Sequence, residues 1–216
     1  MSDLTIEQIQ AALSQKLPGQ SAQYKMAPQP DILSRWDKPI DCRNAAVLLF
    51  LYPHITHNSK REWHIILIRR SEYMGLHRGQ ISFPGGQNEA NETLQTTALR
   101  EAHEEIGLLP EIVKIIGKLS CLYTPPSNFC IYPYIGYSDH RPDFQADTTE
   151  VAELIEPPLS LIQNPTIRQR ELRTFHDGTP RHVPFFNIHG HKVWGATAMI
   201  LNEFLTTIKR LVVLHR

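Results

Sequence analysis

Between residues 85 and 108 the chain reads GGQNEANETLQTTALREAHEEIGL, and no other stretch limits its fold as strongly. Helical spacing covers roughly residues 91–106. At about 100° per residue, Glu101, Glu104 and Glu105 fall within an arc of roughly 100°, because positions three and four apart share a face. With Leu94 set at zero, Ala98, Leu99, Ala102 and Ile106 span about 40° to 140°, while the carboxylates span about 280° to 20°. The acids therefore stand on the shoulder of the buried face. Two carboxylates about 5 Å apart repel by roughly 3 kcal/mol at an effective dielectric of about 20. Arg100, four residues before Glu104, offsets only about 0.3–0.5 kcal/mol of that. A divalent cation would offset far more, and an acidic, oxygen-only donor set selects Mg²⁺, Mn²⁺ or Ca²⁺ over zinc. Upstream, Pro84-Gly85-Gly86 follows the strand-like Gln80-Ile81-Ser82-Phe83. A glycine loop feeding a helix sets free N–H groups beside anionic oxygens. Gly107 is placed to cap the helix C-terminus.

Composition narrows the setting. A chain of 216 residues can build a core unaided. Lys+Arg and Asp+Glu are 22 each, so the zero net charge argues against nucleic-acid or polybasic membrane partners. The longest apolar run, residues 45–52, is far short of the ~20 residues a membrane helix needs. The first residues, with Asp3 and Glu7, lack the apolar centre of a secretory leader, so none is expected. Cys42, Cys121 and Cys130 form neither a close metal pair nor an even disulfide set. A reducing, cytoplasmic setting is the expectation, with Cys121 and Cys130 as buried small apolar residues.

Thr5 and Gln8 have capping-box spacing, and Ile6, Ile9, Leu13 and Leu17 have helical spacing, which predicts a helix over residues 5–16. Pro18, Pro28, Pro30 and Pro39 make residues 18–40 irregular. Residues 1–40 thus read as a helix plus irregular extension, and 41–216 as the main domain. The apolar runs 45–52 and 63–69 predict buried strands of one sheet joined by a turn over 53–59. Strands follow near 112–120 and 130–138, and residues 139–190 are mixed, with turns at Pro142-Asp143 and Asp177-Gly178. A last helix is expected over 196–211. The alternation predicts α/β layers.

Gly86, Glu92 and Arg100-Glu101-Ala102-His103-Glu104-Glu105-Ile106-Gly107-Leu108 are spaced as in the Nudix box, GX5EX7REUXEEXGU with U aliphatic, and on them the chain resembles the Nudix hydrolases. The resemblance implies an α/β/α sandwich with a mixed β-sheet. It implies Mg²⁺- or Mn²⁺-dependent hydrolysis of a nucleoside diphosphate linked to another moiety. In it, Glu101, Glu104 and Glu105 bind metal with the Gly86 carbonyl, Arg100 orients the glutamates, and Glu92 closes the loop–helix unit. The base is Glu101 or a residue on a distant loop, for which Glu150 is considered. Metals suit this chemistry because they neutralise the diphosphate and lower the pKa of a bound water.

The flanks, Arg70-Ser71, His77-Arg78-Gly79-Gln80 and Phe83-Pro84-Gly85-Gly86, are similar to the coenzyme A pyrophosphatase subgroup. Ile68, Gly75, Glu89 and Glu92 depart from the subgroup's Thr, Arg, Asp and Asp. The resemblance extends, in weaker segments, over about residues 45–205. It implies a small-molecule nucleotide substrate like coenzyme A, met by Arg69, Arg70, His77 and Gly85. His77 is also open to bridging backbone groups near the glycine loop. Other NDP-X substrates such as ADP-ribose or dinucleotides, and a ligand-sensing module without turnover, remain as alternatives. A homodimer is left open. Trp194 reads as core or helix-staple packing, His103 as a non-catalytic polar residue, and Arg168-Gln169-Arg170-Glu171-Leu172-Arg173 as a solvated face, with a contact to an adenosine 3'-phosphate or a dimer contact as the alternative. No metal role is expected for His182, His189 and His191.

Overall fold

The computed structural model describes residues 4–28, 39, 41–55, 61–72, 78–175 and 178–214, with side chains to residue 209. His77 and Gly75, Pro30, much of the turn over 53–59 and Asp177 lie outside the described residues. The elements run α1 (Ile6–Leu13), α2 (Gln20–Gln23), β1 (Arg43–Ile55), β2 (Arg61–Ile65), β3 (Leu67–Arg70), β4 (Ile81–Ser82), β5 (Gly85–Gln87) and α3 (Leu94–Ile106). They continue with β6 (Lys114–Lys118), β7 (Leu122–Thr124), β8 (Phe129–Tyr137), β9 (Val151–Ile155), α4 (Leu159–Gln163), β10 (Arg168–Thr174), β11 (Pro180–Ile188), β12 (His191–Trp194) and α5 (Gly195–Leu214).

β1 organises the molecule. Its side chains alternate between two apolar clusters, as a period of two requires. Ala46, Leu48, Phe50 and Tyr52 pack with Ala98, Ala102 and Ile106 of α3. Leu49 and Leu51 pack on the other side with Ile9 of α1 and Ile200, Leu201 and Phe204 of α5. Cover on both faces explains why the run is continuously apolar. The main sheet has the order β2-β1-β8-β6, with β5 on β1 and β7 on β8. β1 and β8 are parallel and the other pairs antiparallel, so the sheet is mixed. With α3 on one face and α1 and α5 on the other, the architecture is the expected α/β/α sandwich.

Three differences from the sequence reading have physical causes. The run 63–69 is two strands, not one. It breaks at the buried Ile66, so that β2 pairs with β1 while β3 joins a second sheet, β4-β3-β9. The mixed stretch 139–190 holds β9 and two strands of a third sheet, β10-β11-β12. β10 is charged along its length because most of its side chains face water. The cysteine expectation is corrected in part: Cys130 is buried as expected, but it is not a free thiol, and Cys121 is only half-buried. The β1–β8 register sets Asn44 opposite Cys130, which brings Cys42 to a Cα–Cα distance of 5.8 Å, and Cys42 and Cys130 form a disulfide. Cys121 keeps its thiol. The cysteine count therefore gives no argument for a reducing compartment.

The N-terminal segment is bound by buried polar groups. Thr5 and Gln8 form both halves of the capping box of α1. The Glu203 carboxylate on α5, fully buried, accepts from the Gly19 N–H at 3.1 Å, Gln23 Nε2 at 2.8 Å and the Ser120 N–H at 3.2 Å. Asn202 donates to the Ala22 carbonyl at 2.7 Å, and Trp63 Nε1 donates to the Leu4 carbonyl at 2.9 Å. Among the described residues, no helix is long and apolar enough to cross a membrane.

Candidate active site

α3 begins at Thr93, whose hydroxyl accepts from the Thr96 N–H, and ends at Gly107, in the left-handed region at φ 68°. Burial differs among the three acids of the shoulder. Side-chain exposure is 2% for Glu105, 16% for Glu101 and 56% for Glu104. Glu105 is nearest the apolar arc and Glu104 farthest from it. His103 is exposed.

Glu105 is held at both oxygens. One accepts from Arg70 Nη1 at 2.8 Å and the other from the Gly85 N–H at 2.9 Å. Burial nevertheless pushes its carboxyl up to about 7, with Arg70 and the Gly85 N–H opposing the shift. Burial also raises Glu101, against the Arg100 guanidinium 3.0 Å away. Gly86 lies on β5 opposite Ala46, and a Cβ there would meet the Glu101 carboxylate at 2.4–2.5 Å. Gly86→Ala should therefore push Glu101 aside. We expect turnover to fall by about 10- to 100-fold, as small misplacements at reacting centres do, with little change in Tm. Steady-state kinetics beside a thermal melt check this.

Arg100 is the hub of a second unit. Nε and Nη2 donate to the two Glu92 oxygens at 3.1 and 3.0 Å, Nη1 donates to Glu104 at 2.8 Å, and Nη2 reaches the Gln87 carbonyl at 3.3 Å. Glu92 also accepts from the Glu89 N–H and the Thr97 hydroxyl. With Arg100 as the largest cause, its carboxyl is pulled down to about 2. The sequence reading missed Thr97 and Asn88, whose Nδ2 donates to Thr97 at 2.8 Å.

The structure separates the two arginines paired in the sequence. Arg70 turns to Glu105, with Glu150 at 3.9 Å from its Nη2. Arg69 turns to Glu153 at 2.9 Å and lines a different cavity. Glu101, Glu104, Glu105, Arg100, Glu92, Gly85, Gly86 and Arg70 thus gather in one place, with Glu150 at its margin. Arg69 does not join them.

The donor chemistry fits a hard dication. The donors are all oxygen, and two carboxylates are buried enough to have raised pKa values. Among the described residues no three His, Cys, Asp or Glu side chains are arranged as ligands, and Arg70 and Arg100 pair with these carboxylates. A stability prediction follows for the chain in EDTA. Glu105 titrates higher folded (about 7) than unfolded (about 4.5), so its contribution is complete below pH 4.5 and is lost as pH rises to 7. The loss is on the order of 3 kcal/mol, and melting curves should show Glu105→Gln lacking that decline.

Comparison with known proteins identifies the family. The NUDIX domain family model matches residues 52–177. The chain belongs to the Nudix family and is a Nudix hydrolase. Enzymes of this kind act on nucleotide-like small molecules and generally need divalent metal ions. It is 33% identical to the "Uncharacterized Nudix hydrolase NudL" of Enterobacter sp. (strain 638), over 82% of this chain and 85% of the relative. The protein of the same name from Photorhabdus laumondii is 29% identical over 87% of this chain and 94% of its own. A MutT protein from Methanosarcina mazei Go1 has a TM-score of 0.47 at 16% identity, covering 81% of this chain and 95% of its own.

Proposed function

We propose that the chain hydrolyses the diphosphate of coenzyme A or an acyl-CoA, giving 4'-phosphopantetheine (acylated or not) and adenosine 3',5'-bisphosphate. One observation carries the reading. Glu105 of the Nudix helix is joined by hydrogen bonds to Arg70 and Gly85 of the segment that resembles the coenzyme A pyrophosphatases. The hydrolase motif and the subgroup motif meet on one buried carboxylate.

In this reading Glu101, Glu104 and Glu105, with the Gly86 carbonyl, hold Mg²⁺ or Mn²⁺. Bound there, the metal supplies charge neutralisation of the diphosphate and a more acidic water. Arg100 orients Glu101 and Glu104 while braced by Glu92. Arg70 and the glycine loop receive the diphosphate, whose oxygens suit guanidinium and backbone N–H donors. Glu101 is the assigned base, since burial favours its protonated form and so its capacity to take a proton. Glu150 is the alternative base.

The test is a panel of coenzyme A, acetyl-CoA, ADP-ribose, NADH and dinucleotide polyphosphates, each with Mg²⁺ and with Mn²⁺. Coenzyme A should be turned over well above the rest. Preference for another member replaces the substrate assignment. Binding without any turnover marks a sensor.

A further inference from the structure

Away from α3, on the side of β3 that carries Arg69, lies a cavity of about 350 Å³. Its side chains include Arg69, Arg78, Arg173, His191, Lys192 and Trp194, and among the described residues no acidic one lines it. Two elements far apart in sequence build it, the β3–β4 corner and the third sheet. Four of these basic side chains are paired with carboxylates. Glu153 pairs with Arg69 at 2.9 Å and with His191 at 3.2 Å, and Glu171 pairs with Arg173 and Lys192. The carboxylate of Glu72 stands behind Gly79. The Arg173 guanidinium lies 4.4 Å from the centre of the Trp194 ring.

We propose that this cavity seats a phosphomonoester carried by the nucleoside half of the substrate, away from the diphosphate that is cleaved. The proposal rests on the nucleotide reading above and names the part of the ligand that the diphosphate site leaves over. A phosphomonoester is a near-dianion with three acceptor oxygens, which guanidinium forks and an ammonium satisfy. Trp194 and Arg173 give a planar surface of the kind on which bases stack. The volume lies in the range of small-molecule sites, about 300–1,000 Å³. The position also fits. Ile81 lines the cavity, and Gly85 of the diphosphate site follows four residues later, within roughly 13 Å of extended chain.

The test compares coenzyme A with 3'-dephospho-coenzyme A, which differ only in that group. The readout is the ratio of their kcat/KM values in the wild type, Lys192→Met and Arg173→Gln, with melting curves for each. We expect a wild-type ratio of about tenfold or more, the usual scale for a charge-assisted contact. It should collapse toward one in both variants. A wild-type ratio near one overturns the proposal, as do variants that keep the wild-type ratio. Should neither compound be cleaved while another diphosphate is, the substrate assignment falls. The cavity is then judged by calorimetric binding of adenosine 3',5'-bisphosphate against AMP. Preference for the bisphosphate that Lys192→Met abolishes upholds the seat, and equal binding overturns it.

Discussion

Glu105→Gln should lower turnover by about 10³-fold or more, because a metal ligand at a phosphoryl centre, the role proposed for Glu105, contributes several kcal/mol to the transition state. The amide keeps the shape of the side chain and an oxygen for the Gly85 N–H, and it removes the anion. KM should move little and the fold should persist. Burial already works against the charge, raising the carboxyl to about 7, so the metal-free variant should melt no earlier than the wild type above pH 7. Kinetics at saturating Mn²⁺, with melting curves in EDTA, separate the two effects. A variant with the full rate would remove Glu105 from the proposed metal site and with it the reading of the whole acidic shoulder.

The second large effect concerns the fold. Glu203→Ala would leave the Gly19 N–H, the Gln23 amide and the Ser120 N–H without their shared acceptor, which is itself fully buried. Leaving a buried donor unsatisfied costs about 1–3 kcal/mol, so with three donors affected the loss should be several kcal/mol, which for a chain of this size is roughly 10 °C in Tm. Glu203→Gln, which keeps one acceptor oxygen, should lose less. Urea melts of the three proteins rank them, and an alanine variant within about 1 kcal/mol of the wild type, the net worth of one ordinary hydrogen bond, would show that the segment docks by apolar contacts alone.

Much of the site was legible because its grammar is local. The paired glycines, the helix and its three acids lie within 24 residues of sequence, and helical geometry alone set the three acids together on the shoulder of the buried face. β1 was legible because both of its faces are covered and its run is unbroken. What was hidden depended on partners distant in the chain. The pairing of Cys42 with Cys130 needs the parallel neighbours β1 and β8. The change of sheet at Ile66 leaves no mark in an apolar run. The residues 168–173 read as a solvated face, and Arg168, Gln169 and Arg170 are exposed. Arg173 instead lines a cavity with Trp194, which sequence reasoning had assigned to packing. Strand alternation could have set Arg69 apart from Arg70, since neighbours in a strand face opposite ways.

The docking of residues 4–28 on α5 bears on how the protein is handled. A shortened version beginning at residue 41 would strip Ile6, Ile9 and Leu13 from Phe204, Leu205 and their neighbours, and would leave Glu203 facing solvent. Trimming for crystals, or a bulky fusion placed tight against Leu4, would expose a greasy helix flank and invite clumping. Tags belong at a distance from that end, on a spacer long enough to leave the first turn undisturbed.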